Sequence, residues 1–218
     1  REWEFRDSSG YSMPHNPESL EVIYNLKSDN AISSNHMEMY AQDTWRRESS
    51  KGIFSLNYGM RFSYWSWNKE WLLSPRASLT FIPKNHDNMT FRLATGLYYQ
   101  RPFYKELKDT ITNGATTIVQ LNQDIQSQRS FQLIAGYEYR FKIGKRPFLF
   151  ATELYYKAQD RLNPYTVDNT KIVYYGRNCA TGNVLGADFK LYGEFVPGTD
   201  SWLTFSLMRA RMDINSKN

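Results

Sequence analysis

Residues 51–68, KGIFSLNYGMRFSYWSWN, show the pattern that decides the fold. From position 54 onward every second residue is apolar or aromatic, and the residues between them are mostly small or polar. A period of two is typical of a β-strand, because successive side chains of a strand point to opposite faces. The segment is therefore predicted to be a strand with one apolar and one polar face. The apolar face could cover a protein core, or it could face lipid.

The same alternation recurs along the chain. Long copies occupy 91–99, 131–141, 148–156 and 187–195, and shorter copies occupy 77–81 and 203–207. With a stub at Trp3 to Asp7 and a strand near MEMYAQDTW, about nine strands are expected, and no segment shows a convincing helical period. The sequence thus predicts an all-β chain.

The connections between these strands fall into two length classes. Short connections rich in turn-forming residues are expected at 47–52, 83–88, 142–147 and 196–201. Long connections are expected at 8–32, 101–127 and 161–182, with an intermediate one at 66–75. In an antiparallel meander all the short connections then lie at one end and all the long ones at the other. Outer-membrane barrels have this arrangement, and strands of about 12 residues are long enough to cross a membrane.

Charge is also segregated between the two faces. The apolar faces of the strands from 54 to 207 carry no Asp, Glu, Lys or Arg. The opposite faces carry Arg61, Arg76, Arg92, Glu138, Arg140, Glu153, Lys157, Asp188, Lys190 and Glu194. Asp43 is the exception, since it falls in register with Met37, Met39 and Trp45. We expect it near a membrane interface if its strand descends to a short turn, unless a bulge resets the register.

Aromatic residues gather near both ends of the predicted strands, as in the two aromatic belts of a membrane barrel. The predicted fold is therefore an antiparallel meander of long strands that forms part of a transmembrane β-barrel, with residues 1–218 as a single segment. A soluble β-sandwich would also keep charge off its inner face. The alternative is therefore a soluble β-sandwich or small β-barrel that acts as a ligand-binding module.

Composition argues against several other classes of protein. The net charge of +5 is spread along the chain without a Lys/Arg block, so we expect no nucleic-acid partner. His15, His36 and His86 are too scattered for a metal site, and Cys179 has no local His or second Cys for nucleophilic catalysis. No cofactor motif appears either. Glu138 and Glu153 could approach each other as a carboxylate pair, but Arg140 and Lys157 on the same face favour a charge network without catalysis.

Several motifs occur in an order that is similar to a known family. YAQDTW at 40–45, SPRASLTFIP at 74–83, TFRLATGLYYQRPFYKEL at 90–107, SFQLIAGYEYRF at 130–141 and LFATELYYKAQDRLNPY at 149–165 together resemble the barrel of TonB-dependent outer-membrane receptors, especially those of Bacteroidetes-like bacteria. One motif departs from the family, because Gln132 stands where a Glu is usual. The resemblance covers most of residues 33–212.

The resemblance implies a function in a bacterial outer membrane. Members of the family import a scarce nutrient, such as a siderophore, vitamin, glycan or peptide, with energy from the TonB complex. The resemblance also implies a closed barrel plugged by an N-terminal domain, whereas this chain is expected to supply only part of the barrel and to lack the plug. The implied partners are outer-membrane lipid, the TonB complex through the missing plug domain, and a small-molecule, glycan or peptide ligand.

Ligand recognition is expected in the long outer loops, because a rigid barrel presents variable loops to its ligand. The candidate residues combine aromatic stacking surfaces with hydrogen-bond donors, a mixture that suits sugars, peptides or anionic chelates about equally. The same aromatic residues could instead pack the loops together. The candidates are Trp67 and Trp71 in the first loop, Arg101, Tyr104 and Lys105 in the second, and Tyr165, Tyr174, Tyr175 and Arg177 in the third.

Overall fold

The computed structural model describes the backbone of residues 3–12, 25–113, 116–168 and 171–214, and the side chains of 29–109, 118–167 and 172–214. Within these residues the chain forms fourteen strands and one turn of 3₁₀ helix. The strands are β1 (Trp3–Ser12), β2 (Asn25–Ser34), β3 (His36–Ser49), β4 (Gly52–Trp65), β5 (Glu70–Pro83), β6 (Met89–Gln100), β7 (Lys108–Asn113), β8 (Thr116–Leu121), β9 (Gln128–Ile143), β10 (Arg146–Leu162), β11 (Tyr165–Asp168), β12 (Lys171–Tyr174), β13 (Ala180–Val196) and β14 (Thr199–Ile214). The 3₁₀ turn is Tyr104–Leu107.

The main sheet contains eight strands in the order β14-β13-β10-β9-β6-β5-β4-β3, and every neighbouring pair is antiparallel. The predicted short connections all lie at one end, here called the turn end. Ser50 and Lys51 join β3 to β4, residues 144–145 join β9 to β10, residues 197–198 join β13 to β14, and residues 84–88 join β5 to β6. The long connections all lie at the opposite, loop end. The predicted meander and the segregation of its connections are confirmed.

The strand register collects the apolar residues on one face of the main sheet, called the apolar face. Across β4 and β5 the partners are Phe54 with Phe81, Leu56 with Leu79, and Phe62 with Leu73. The Phe54 and Phe81 rings stack with their centroids 4.5 Å apart, the kind of cross-strand contact that stabilises a sheet. The ten charged residues predicted to oppose the apolar positions all lie on the other side, called the polar face.

Charged residues mark both limits of the apolar face on β10. Arg146 near the turn end and Asp160 near the loop end have the same strand parity as the apolar positions between them, which run from Phe148 to Ala158. Asp160 pairs with Arg129 on β9, with Nη2 to Oδ2 at 2.5 Å. The uncharged span of about eleven residues corresponds to about 25 Å for a strand tilted near 45°. This is the height of the apolar band of an outer-membrane barrel.

Asp43 remains on the apolar face. The β3–β4 pairing is continuous from Ser49 to His36, so no bulge resets the register, and Asp43 lies opposite Tyr58. The strand does descend to a short turn, as expected, but Asp43 sits near the middle of β3. The Tyr58 hydroxyl donates to the Asp43 carboxylate at 3.0 Å. This hydrogen bond reduces the cost of placing a charge among apolar side chains.

The loop end contains more regular structure than the sequence predicts. The segment 8–32 was expected to be a loop, but it includes most of β2, and the predicted stub at its start extends to Ser12 as β1. β1 joins a second sheet of order β1-β2-β8-β7, in which β2 and β8 are parallel, and β11 and β12 form a separate hairpin. The predicted loop 66–75 is also shorter, because β5 begins at Glu70. Eight strands of the expected nine therefore form the main sheet.

No element of the described chain covers the apolar face. Its central side chains are widely exposed, with Leu154 at 56%, Leu185 at 58% and Phe205 at 57%. A β-sandwich needs a second sheet against this face, but the second sheet lies at the loop end. A small closed barrel needs its end strands to pair, and β3 and β14 are not hydrogen-bonded to each other. The described structure therefore does not support the soluble alternative.

Candidate functional site

A small hydrophobic cluster, the loop-end core, holds the long connections together. It consists of Ile32, Trp65, Leu107 and Ile125, and the partly buried side chains packed against it are Trp67, Tyr104 and Leu121. Trp65 is on the polar face of β4, so the cluster lies over that face at its loop end. The indole Nε1 of Trp65 donates to the Ser34 hydroxyl at 3.2 Å. β2 and the connections after β4, β6 and β8 thus share one core.

The Glu70 carboxylate fixes the segment that leads into β9. Its Oε2 accepts hydrogen bonds from the Ser127 backbone N–H at 2.9 Å, the Ser127 hydroxyl at 2.6 Å and Asn68 Nδ2 at 3.2 Å. Arg161 Nη1 lies 3.5 Å from the other oxygen, Oε1. Ser127 is fully buried, so this carboxylate satisfies polar groups that would otherwise be costly to bury.

Three asparagines connect the loops that follow β6 and β10. Asn178 accepts from the Gln126 backbone N–H at 2.7 Å and donates to the Gln126 and Arg161 carbonyls at 3.0 and 2.6 Å. Asn122 donates to the Gly176 carbonyl at 3.0 Å, and Asn163 donates to the carbonyl of Glu106 at 3.2 Å. An amide carries both donors and an acceptor, so one side chain can bond to two backbone segments. The two loops are therefore connected by specific hydrogen bonds.

Burial raises the pKa of two titratable side chains at the loop end. Glu106 is only 6% exposed, and burial raises the pKa of its carboxyl, although hydrogen bonds from the Phe103 backbone and Gln128 partly oppose the change. The pKa of Tyr174 is also raised, first by burial and then by the negative charge of Glu106 and the nearby Tyr165. The loop end therefore holds a carboxyl that is easier to protonate than an ordinary glutamate.

The structure disperses the predicted recognition residues over three environments. Trp67 and Tyr104 pack against the loop-end core, and the Trp67 Nε1 is buried without a hydrogen-bond partner among the described residues. The Arg101 guanidinium lies 5.9 Å from the centroid of the Trp65 ring, within the range of a cation–π contact. These residues help to form the cluster, as expected if the aromatic side chains pack the loops together.

Other predicted residues lie at the outer surface. Tyr165 and Tyr174 are paired across the β11–β12 hairpin with ring centroids 5.8 Å apart, and Tyr165 is 54% exposed. Tyr175 and Arg177 flank Gly176 and are exposed, and so is Lys105 on the 3₁₀ turn. The loops that the three asparagines connect support this surface. A ligand-binding role for these side chains stays a prediction.

Trp71 was expected in a recognition loop, and this placement is wrong. It lies in β5 on the apolar face, opposite Tyr64, and its ring is 4.3 Å from the Tyr64 ring and 5.1 Å from the Phe62 ring by centroid distance. It is 61% exposed on that face. The physical reason is that β5 continues to Glu70, so the alternation of the strand carries Trp71 to the apolar side.

Sequence reasoning missed the polar groups that build the cluster, above all Glu70, Ser127 and the three asparagines. Asparagine is common in loops for many reasons, and the sequence does not show which carbonyl each one reaches. The one available signal was position. Glu70 has the strand parity of the polar face, and a carboxylate at the end of a strand can accept hydrogen bonds from a neighbouring loop.

The polar face carries a charge network, as expected. Glu138 accepts from Arg92 Nη1 at 2.6 Å and from Arg140 Nη2 at 3.5 Å. Across β9 and β10, Glu138 lies opposite Ala151 and Glu153 lies opposite Gly136, so the two carboxylates are diagonal neighbours without a hydrogen bond between them. The arginines compensate the charge of Glu138, so its environment is that of an ion-pair network.

Metal chemistry has no candidate within the described residues, since no group of three or more His, Cys, Asp or Glu side chains could hold an ion. His36 forms a contact with Glu38 at 3.1 Å, and His86 lies in the turn between β5 and β6. His15 is outside the described residues. Cys179 is a free, partly exposed thiol.

Comparison with known families agrees with this geometry. Residues 2–216 match the family described as TonB dependent receptor-like, beta-barrel, and the chain therefore belongs to that family. Membership indicates an outer-membrane receptor with a role in transport rather than an enzyme. None of the curated proteins compared with the chain matches it. Among the described residues, no helix is long and apolar enough to cross a membrane.

Proposed function

We propose that this chain forms part of the barrel wall of a receptor that takes up a scarce nutrient across the outer membrane of a Gram-negative bacterium of the Bacteroidetes type. The apolar face contacts lipid, and the polar face lines the lumen. One observation carries the proposal: an uncovered, largely apolar face of membrane height on a sheet that belongs to a receptor-barrel family. The nutrient is a siderophore, vitamin, glycan or peptide.

The loop-end core gives this proposal a structural basis for recognition. It packs over the polar face at its loop end, where a ligand enters from outside in the proposed orientation. The hydrogen bonds of Asn178 and Asn122 help to hold the loops that present the exposed side chains of Tyr165, Tyr175 and Arg177. Energy for uptake comes from the TonB complex through a plug domain.

Two substitutions at adjacent positions test the orientation. Leu133 is on the apolar face between Thr95 and Tyr156, and Gln132 is on the polar face between Gly96 and Lys157. Arginine on the lipid face costs about 2–4 kcal/mol at the midplane and less toward the interfaces, whereas the lumen is wet. We expect Leu133→Arg in the full-length protein to prevent assembly in the outer membrane and Gln132→Arg to be tolerated, as judged by heat-modifiable migration. Equal effects of the two variants would contradict the proposal.

Uptake is tested in the bacterium that encodes the protein. Deletion of the gene should slow growth when one class of nutrient is limiting, and the Gln132→Arg protein should restore growth while the Leu133→Arg protein should not. Restoration that persists without a functional TonB complex would contradict the transport proposal, even if the orientation is correct.

A further inference from the structure

Two arginines on the polar face, Arg61 and Arg76, have no acidic partner within the part of the chain that the structure describes. Three other strand arginines form ion pairs: Arg92 with Glu138 at 2.6 Å, Arg129 with Asp160 at 2.5 Å, and Arg161 with Glu70 at 3.5 Å. A guanidinium that is not balanced by a neighbouring carboxylate is available to an anion from elsewhere.

The pairing of β4 with β5 places these two arginines close together. Arg76 on β5 lies between Gly59 on β4 and Gly96 on β6. Arg61 is two residues beyond Gly59 on the same face of β4, so it is the diagonal neighbour of Arg76, at about 7–8 Å between backbones. Gly59 has no side chain to occupy the space beside Arg76, whereas the Tyr98 ring lies close to Gly96, 2.9 Å from the position of a Cβ there.

Gly59 is constrained by its surroundings. A Cβ at this position would lie 2.8 Å from the Ala41 carbonyl oxygen and 2.9 Å from the Cβ of Gln42. Any larger residue would therefore push β3 away as well as fill the space between the two arginines. Gly59 therefore permits both the close approach of β3 to β4 and the open space beside Arg76.

The open space beside Arg76 is part of a cavity of about 120 Å³, which is lined by Tyr40, Ala41, Gln42, Gly59, Met60, Arg61 and Arg76. A second cavity of about 300 Å³ also contacts Arg76, and the Tyr98 side chain lines it. The Arg76 guanidinium carbon is 5.7 Å from the centroid of the Tyr98 ring. An aromatic ring on one side of a guanidinium restrains its plane and leaves its N–H edge free for a bidentate contact.

We propose that Arg61 and Arg76 form a carboxylate-binding site on the lumenal wall, with Gln42 as an additional hydrogen-bond donor. The carboxylate comes either from a ligand or from an acidic side chain of protein that enters the lumen; the chemistry at the arginines is the same. The two guanidinium groups carry the charge, and their N–H groups match the two oxygens of a carboxylate. The inference rests on the proposed function only for the direction in which this face points.

Citrate is a suitable probe for a free carboxylate. Equilibrium dialysis of labelled citrate against the full-length protein in detergent, at fixed ionic strength, should show one site whose affinity falls at least tenfold in both Arg61→Gln and Arg76→Gln. Arg92→Gln is the matched control, since Arg92 is an arginine of the same face that is already paired with Glu138. Its citrate affinity should be unchanged, and an equal loss in all three variants would contradict the proposal.

Absence of citrate binding points to the second source, which a cross-linking experiment tests. Arg76→Lys places an amine in the site, and a water-soluble carbodiimide then joins it to a carboxylate in direct contact. Mass spectrometry should find residue 76 linked to an Asp or Glu outside the residues whose side chains the structure describes, 29–109, 118–167 and 172–214, and the Arg76→Gln protein should give no such link. The proposal is overturned if citrate does not bind and this link does not form. Normal heat-modifiable migration in the same samples would show that the barrel proposal survives that result.

Discussion

Glu106 is the residue whose ionisation should affect the loops most. Burial raises the pKa of this carboxyl in the folded state above its ordinary value of 4.5, so the folded protein binds the proton more tightly than the unfolded chain. Stability of the loop-end core should therefore increase as the pH falls from neutral toward 4.5, and should decrease as the pH rises through the folded pKa. Hydrogen exchange of the amides of residues 103–108 measures this change.

Glu106→Gln provides the control for this prediction. The amide is neutral and nearly the same shape, so the variant should be at least as protected as the native protein at neutral pH and should lose most of the pH dependence. If both proteins keep the same pH dependence, the titrating group is not Glu106.

Single residues also show where sequence reasoning succeeds and where it stops. The apolar position of Asp43 followed from its spacing to Met37, Met39 and Trp45, because strand parity depends only on counting. Its partner did not follow from the sequence, since Tyr58 is identified only by the pairing of β3 with β4. A hydrogen-bond partner across strands depends on register, which local sequence does not contain.

The turn-end hairpins depend on glycine to very different extents. Gly52 has a φ of +146°, and a Cβ there would lie 2.2 Å from the Ile82 carbonyl oxygen. Gly144 has a φ of +65°, and nothing lies within 4 Å of its Cβ position. We expect Gly52→Ala to impair folding of the β3–β4 hairpin severely. Gly144→Ala should cost only the left-handed backbone, about 1–2 kcal/mol.

Urea titration of the full-length protein in detergent compares these two variants. A smaller shift of the unfolding midpoint for Gly52→Ala than for Gly144→Ala would show that the close contact with Ile82 does not constrain the hairpin. The result would also indicate that the β4–β5 pairing near the turn end can relax without loss of the sheet.

The connection between the second and third loops should depend on Asn178. Asn178→Ala removes three hydrogen bonds that join the Gln126 backbone to the Arg161 carbonyl, so the connection between the second and third loops should loosen while the main sheet stays intact. Limited proteolysis should cut residues 122–127 and 175–179 faster in this variant. Gln123→Ala is the control, because Gln123 is exposed and its side chain has no hydrogen bond within the described residues. Equal rates of cleavage would contradict the role given to Asn178.

The long strands could be predicted and the loop-end strands could not, for a physical reason. Strands of the main sheet separate two different environments, so their sequences must alternate. β7 and β8 read KDTITN and TTIVQL, which carry no sustained alternation, and β2 pairs with β8 through residues about 90 positions away. Their structure depends on packing and on side-chain hydrogen bonds between loops. The candidate site was predicted only in its location for the same reason.

The whole molecule is described by one assignment, in which the apolar face is the lipid face. This assignment explains the uncovered leucines, the charged limits of the band on β10 and the Arg92–Glu138–Arg140 network on the other side. It also explains why few apolar residues are buried in the described structure, since lipid would cover the face that protein does not.

Spin labels along β9 test this assignment most directly. Cysteine is placed singly at positions 131–137 of the full-length protein in a Cys179→Ser background, and the labelled protein is reconstituted into lipid bilayers. Labels at Phe131, Leu133, Ala135 and Tyr137 should be more accessible to oxygen, which partitions into lipid, than labels at Gln132, Ile134 and Gly136. Accessibility to oxygen without a period of two, or with its maxima at the even positions, would contradict the account.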